Sequence, residues 1–362
     1  MNKTYEIRNL PGEPDDTPKL EWHNAEEEPF EIFGLLKEKE NGLFMRLPTD
    51  VAKNTSDRVF VMRDGTAGAR IRFATDSDTV GIQAYLEGFS EKSQGIYYIN
   101  NYIFDLYEKK PYIGYELCAS MAPSFDPKDR AFLRKVLGNP ADSMHELTLN
   151  LPKETKIKKI EIGIKPGSKL EKHSDYRVKM PVVYYGSSIT HGFCASRPGM
   201  SYENIISRNL DCNFINLGFS GSCYGEQAIA DYISGLKMSA FVLDYDHNAP
   251  SAEHLQKTHF NVYETVRKKN PDIPIIMVSK PDFNGLSHAE HLRRCTVMET
   301  YIKARRAGDN LAFFVDGAAF LIDQYRGDGT ADTCHPSDLG FSRMASAIGN
   351  TLRQAFEITR PQ

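Results

Sequence analysis

At 362 residues the chain exceeds the size at which a single hydrophobic core usually stops growing, so two domains are expected. A composition of 41% hydrophobic and 25% charged residues with a net charge of −4 describes a globular protein and excludes the basic stripe of a nucleic-acid binder. No apolar run approaches a bilayer span, so no membrane partner is expected either.

Residues 1–16, MNKTYEIRNLPGEPDD, lack the apolar centre of a secretory signal. The expected compartment is the cytoplasm, with a trimmed leader and a periplasmic or secreted protein as the alternative. Trp22, the only tryptophan, reads as a packed aromatic at a domain edge or as a platform for a sugar ring. The six cysteines show no CxxC spacing, which argues against a zinc knuckle or a redox pair.

From about residue 40 to 165 the pattern is of short strands separated by turn signals. RVFVMRD (58–64), RIRFAT (70–75), TVGIQAYL (79–86), YYINNYIFDLYE (97–108), HELTLNL (145–151) and KIKKIEIGI (156–164) are the candidates. Several alternate apolar with polar residues, and no helices intervene, which predicts an antiparallel β-sandwich or jelly roll. The stretch 124–140 is expected to hold a short helix or a long loop. A polar connector follows over 165–181.

Beyond it, wholly apolar strands alternate with helix-length segments. The strands are VVYYG (182–186), FINLG (214–218), AFVLDY (240–245), IPIIMVSK (273–280) and AFFVDG (312–317). Helices are expected near 201–210, 225–236, 252–269, 287–306 and 338–357. This predicts an α/β domain with a flavodoxin-like, doubly wound parallel sheet covered on both faces. The expected division is a β-sandwich accessory domain over 1–178 and the α/β domain over 179–362.

In such a sheet ligands bind beyond the carboxyl ends of the strands, and the chemistry-bearing residues fall there. The first strand runs into GSSITHG (186–192), which offers the hydroxyls of Ser187 and Ser188. The second ends in NLGFSGS (216–222), a turn containing Gly221, and the third in DYDHN (244–248), with His247 and Asn248. After the last strand comes DTCHP (332–336), which sets Asp332 three residues before His335. Serine needs a base, a group to orient that base, and donors for a developing oxyanion. Each block alone also reads as an ordinary loop; Gly221 could serve only a positive-φ turn and Asn248 only a helix cap.

Taken in order, the four blocks resemble the SGNH or GDSL-type hydrolases, over about residues 181–357. SRPGMSYENIISRNL (196–210) and HPSDLGFSRMA (335–345) are similar to the branch that carries an N-terminal sandwich. The resemblance implies Ser188 as nucleophile, His335 as base and Asp332 as its orienting carboxylate. It also implies an oxyanion hole formed by the N–H groups of Ser188 and Gly221 with the Asn248 side chain. Two positions depart from the family pattern: Ser187 stands where an aspartate is usual, and His247 where a glycine is usual.

Ser187, His191 and His247 are the further pocket candidates, with Arg197 and Tyr202 as supports of the nucleophile turn. His288 and His291 in HAEH share a helix face without a third ligand nearby, so no metal is expected, and no organic cofactor. The expected activity is hydrolysis of short acyl esters, foremost acetyl on carbohydrate, through an acyl-serine. The substrate would be a small-molecule or oligosaccharide ester. The alternatives are a lipase-like or small-molecule acyl-ester hydrolase, and a non-catalytic carbohydrate-binding protein.

Overall fold

The structure, a computed structural model, describes residues 19–87, 102–121, 131–134, 143–282, 287–320 and 326–361. The chain divides into two compact units, residues 1–45 with 64–174, and residues 46–63 with 175–362.

Among the described residues the first unit has ten strands: β1 (Glu21–Asn24), β2 (Glu31–Phe33), β3 (Arg70–Thr75), β4 (Val80–Glu87), β5 (Phe104–Lys110), β6 (Gly114–Met121), β7 (Ala131–Arg134), β8 (His145–Asn150), β9 (Lys156–Ile164) and β10 (Leu170–Glu171). They form two antiparallel sheets, ordered β1-β9-β4-β7 and β10-β3-β8-β5-β6, with β2 added beside β3. Strand periodicity sends alternate residues to one face. Val80, Ile82, Ala84 and Leu86 of β4 therefore share a core with Ile71 and Phe73 of β3 and Leu147 and Leu149 of β8. That is the expected sandwich. Trp22 pairs with Gly163, and its ring lies over that glycine, as a packed aromatic.

Three expectations here need correction. The described part of 124–140 is neither helix nor loop but β7, paired with β4; the rest of that stretch lies outside the described residues, as do 97–101 of the fourth candidate strand. The connector over 165–181 contains β10. RVFVMRD (58–64) is not a strand: two short helices, α1 (Thr49–Thr55) and α2 (Asp57–Met62), occupy this region and belong to the second unit.

The physical reason is tertiary. Val and Phe cost roughly 0.5 kcal/mol each in a helix relative to Ala, whereas burying one valine returns about 2 kcal/mol. Val59 is fully buried while Val61 is 63% exposed, a one-sided pattern that a helix produces here. Ser56 caps α2 by accepting the Val59 N–H, and α1 packs on α4 (Gln227–Ser234).

The second unit is α/β. Its strands are β11 (Val178–Gly186), β12 (Cys212–Gly218), β13 (Ala240–Asp244), β14 (Ile275–Val278) and β15 (Ala312–Val315). All are parallel, in the order β12-β11-β13-β14-β15, the flavodoxin-like arrangement. The first strand starts at Val178 rather than at 182, with a register shift before Val182, where Pro181 has no N–H to give the ladder. The remaining helices are α3 (Tyr202–Leu210), α5 (Ala252–Lys269), α6 (His288–Arg306) and α7 (Asp338–Thr359).

Alternate strand residues serve opposite faces, which is why the strands are apolar throughout. Val183, Tyr185, Phe241, Leu243, Ile275 and Met277 pack with α4, α5 and α6. Val182, Tyr184, Ala240, Val242, Ile276 and Val278 pack with α3 and α7. Leu47, Ala52 and Val59 of the inserted segment join the first of these cores. Among the described residues no helix is long and apolar enough to cross a membrane.

Candidate active site

The carboxyl ends of β11, β12, β13 and the loop after β15 converge. Ser188 Oγ lies 2.9 Å from His335 Nε2, and His335 Nδ1 lies 2.8 Å from Asp332 Oδ2. With Nδ1 carrying its proton toward Asp332, Nε2 presents a lone pair to the serine hydroxyl. Asp332 Oδ1 accepts the backbone N–H groups of His335 (2.7 Å) and Cys334 (3.0 Å), so both carboxylate oxygens are committed. Burial alone would raise the Asp332 pKa; these hydrogen bonds outweigh it and hold the carboxyl below its usual range. The His335 carbonyl, accepting from Thr330 Oγ1 and Ala331 N–H, closes the loop that carries the pair. Phe193 sets its ring edge-to-face on the imidazole, with centroids 4.7 Å apart.

The two hydroxyls of the double serine are employed differently. Ser187 Oγ accepts the Ile189 N–H at 3.1 Å, closing the turn on itself. Ser188 alone faces His335. Beneath this turn, Thr190 Oγ1 and Tyr202 Oη both donate to Asp244 Oδ2, at 3.2 and 3.0 Å. Tyr202 is thus a support of the turn, as expected; Asp244 is a member the sequence reading missed. Complete burial pushes the Asp244 carboxyl well up, toward its protonated form.

Gly218 ends β12 where a Cβ would collide with the backbone of Thr190 and His191, so only glycine allows the two turns to touch. Gly221 follows at φ 65°, a left-handed conformation that suits glycine. His191, buried rather than on the surface, joins the same turns through Nδ1 to Ser220 Oγ at 3.0 Å.

Asn248 follows β13, its backbone N–H on Tyr245 O. Its carboxamide is uncommitted: Oδ1 is buried without a hydrogen-bond partner among the described residues. His247 Nε2 lies 3.2 Å from Cys334 Sγ, and its ring centroid is 6.4 Å from that of His335. Burial first, then the charges of Lys280 and His335, bring the His247 pKa down to about 4, so this ring is neutral near pH 7. Cys194 Sγ stands 3.9 Å from Asp332 Oδ2. His288 and His291 are exposed in the first turn of α6.

One anchor had no local signal in the sequence. Arg46, 2% exposed, sends Nη1 to the carbonyls of Gly218 (2.8 Å) and Asn216 (3.3 Å) and Nη2 to Met62 O (3.1 Å). Its guanidinium also covers the Phe219 ring at 4.7 Å. The inserted segment therefore holds the start of the turn that carries Gly221.

Residues 179–353 match the model of the GDSL-like lipase/acylhydrolase family, and residues 20–170 match the N-terminus of SGNH-hydro-type esterases. A Bacteroides ovatus protein described as GDSL-like lipase is similar at 26% identity, with 92% of this chain and 98% of that chain covered and a TM-score of 0.79. A salicylyl-acyltransferase from a tetracycline biosynthetic pathway shares the fold at 17% identity (92% and 97% covered, TM-score 0.73). So does an acetyl xylan esterase from the rumen bacterium Butyrivibrio proteoclasticus, at 10% identity (92% and 98% covered, TM-score 0.58). No curated protein matches this sequence.

Proposed function

From the premise that this chain belongs to the GDSL-like lipase/acylhydrolase family and is an esterase, we propose that it hydrolyses short acyl esters through an acyl-serine at Ser188. The observation that carries this reading is the 2.9 Å contact of Ser188 Oγ with His335 Nε2, while the neighbouring Ser187 hydroxyl is spent on its own turn.

In the proposed reaction His335 Nε2 takes the Ser188 proton as Oγ bonds to the acyl carbon. Asp332 keeps the imidazole in the tautomer that can accept it and stabilises the imidazolium that forms. The negative charge gathers on the carbonyl oxygen, which the N–H groups of Ser188 and Gly221 and the Asn248 amide would stabilise. Asn248 Nδ2, the donor this role needs, makes no hydrogen bond among the described residues, which supports the role because a donor already engaged would have to break a bond to serve. The alkoxide leaves with the proton from His335. Water then attacks the acyl-serine as the same nitrogen removes its proton, and the acid departs as Ser188 recovers its hydrogen.

Acetyl on a carbohydrate alcohol is the preferred substrate. Its support is analogy with the acetyl xylan esterase of similar fold, together with a sandwich unit at the N-terminus.

Hydrolysis of 4-nitrophenyl acetate by the wild type, Ser188→Ala and Ser187→Ala tests the reading. Ser188→Ala should lose about 10⁴-fold or more in kcat, as removal of a triad nucleophile does. Ser187→Ala should keep activity within about tenfold, since it loses one local hydrogen bond. Loss in Ser187→Ala alone would move the nucleophile one residue back. A series of acyl lengths then separates acetyl preference from a lipase-like pocket.

A further inference from the structure

The turn that presents Gly221 has a cation laid upon it. A Cβ placed on Gly221 would stand 3.7 Å from Nη1, 3.8 Å from Nη2 and 3.9 Å from Cζ of Arg58. Three such atoms are nearly equidistant from a point only when that point lies over the plane they define. The flat face of the guanidinium therefore covers Gly221, and its N–H edges are directed sideways, free for a ligand. Arg58 is exposed, and among the described residues it makes no hydrogen bond or ion pair.

Among the described residues no acid is paired with it. Glu226, the carboxyl group of the same loop, accepts Tyr185 Oη and the Tyr224 N–H, and burial raises its pKa toward the neutral form. Asp57 precedes Arg58 on α2, but adjacent residues on a helix do not face each other. Arg46 fixes the segment from below through its bonds to Gly218, Asn216 and Met62.

Near His247, Lys280 is paired with Glu290, and Arg293 donates to Asp246 O at 3.0 Å. Arg58 is thus a cation laid on the turn of Gly221, with no hydrogen bond or ion pair among the described residues. A planar fork of this kind matches a carboxylate bidentately.

We propose that Arg58 is a specificity residue that binds a carboxylate carried by the ester, so the esters turned over best are anionic. This rests on the esterase reading above and adds the charge class of its substrate. The carboxylate can sit on the acyl group or on the alcohol, and matched pairs of esters tell these apart. For the acyl side the pair is 4-nitrophenyl hemisuccinate and 4-nitrophenyl butyrate. For the alcohol side it is 3-carboxyphenyl acetate and 3-carbamoylphenyl acetate.

The quantity read is the ratio of kcat/KM, charged over neutral, in wild type, Arg58→Ala and Arg58→Lys. For at least one pair, Arg58→Ala should lower the ratio by about 10- to 100-fold, the range of a charge-assisted bidentate contact. Arg58→Lys, which keeps the charge without the fork, should fall between. A wild-type preference in the affected pair should also weaken with salt. Ratios that move by less than about twofold in both pairs overturn the proposal.

Calorimetric binding of succinate and 3-hydroxybenzoate to Ser188→Ala, with and without Arg58→Ala, gives a readout that needs no turnover. Binding of either acid that weakens at least tenfold without Arg58, in a protein that hydrolyses none of the four esters, would sink the esterase reading and leave the subsite standing. Hydrolysis that depends on Ser188, with neither ratios nor binding dependent on Arg58, would do the reverse.

Discussion

In the sandwich unit, buried ionisable groups find partners on neighbouring strands or, for Arg72, on the segment after β10. Arg72 lies 2.9 Å from His173 Nδ1, His145 Nδ1 lies 2.7 Å from Glu108, and Asp105 accepts from Asn150 at 2.7 Å. Beneath the Ser188 turn of the α/β unit the buried acids are pushed toward neutrality instead. Asp244 and Glu203 are wholly buried with raised pKa values, and Asp246 is raised to about 6. One unit satisfies its buried charge in pairs; the other suppresses its charge around a few groups left uncommitted, such as the Asn248 carboxamide. The difference teaches where substitutions should register, as stability in the first and as turnover in the second.

The sharpest test is Asp332→Asn. An amide keeps the shape but cannot hold the same imidazole tautomer, so kcat should fall by about 10³- to 10⁴-fold. Its thermal midpoint should move by only a few degrees, because the Asp332 side chain is 35% exposed and its partners lie within its own loop. A large drop in stability would place Asp332 with the structural pairs of the sandwich. Next comes Asn248→Ala, with a loss of about 10²- to 10³-fold in kcat and a much smaller change in KM, read from initial rates. A change in KM alone would mean that Asn248 binds the ground state.

Arg46→Met crosses the comparison, since this residue is buried and hydrogen-bonded like the sandwich pairs yet lies in the other unit. Three carbonyls lose a charged donor, and denaturant unfolding should show about 3 kcal/mol of destabilisation. Activity at a temperature where the variant is folded should fall as well, because the turn before Gly221 is no longer tied.

The last effect is on acid stability. Burial first, and Arg72 second, hold the His173 pKa down to about 4. The unfolded chain takes up that proton near 6.5, so the stability His173 contributes is complete above that pH and is lost as pH falls toward 4. Glu146 is lowered too: burial opposes this, but its bonds from Ser174 prevail, so it loses stability in the same direction.

In the α/β unit His247 and His259, at about 4 and about 3, behave likewise. The raised acids Asp244, Asp246 and Glu203 run the other way: their contribution is present below the ordinary carboxylate range and is lost as pH rises. Between pH 6.5 and 4.5 the sandwich should lose up to about 3 kcal/mol, while the α/β unit changes less. Hydrogen exchange resolved by peptide, at both pH values, measures this; equal losses would break the comparison.

Much of this architecture was legible in the sequence, for reasons that can be named. A parallel strand buried on both faces must be apolar along its length, and β11 to β15 are. Residues beyond consecutive strand ends must meet, so GSSITHG, NLGFSG, DYDHN and DTCHP marked one place although they span about 150 residues of chain. What escaped was set by long-range packing. RVFVM has the composition of a strand and became a helix because Val59, with Phe60 and Met62 beside it, packs on a core while Val61 stays exposed. Arg46 and Arg58 lie far from the turn in sequence, and no spacing rule joins them to Gly218 or Gly221. Asp244 was passed over as a strand terminus, although its place next to the glycine turn is what lets it reach Thr190.

The detour of residues 46–63 imposes a timetable. Leu47, Ala52 and Val59 emerge early in synthesis, yet the residues they pack with, Ile229, Ala230 and Ile233 among them, are made far later. At about 5–20 residues per second the wait is on the order of 10–30 s, during which this apolar segment has no home. A fragment beginning at Asp175 would be missing part of its own core, and a fragment ending at Ser174 would carry the orphaned piece. The chain cannot be divided into two beads by a single cut, and recombination that treats it so would leave both products incomplete.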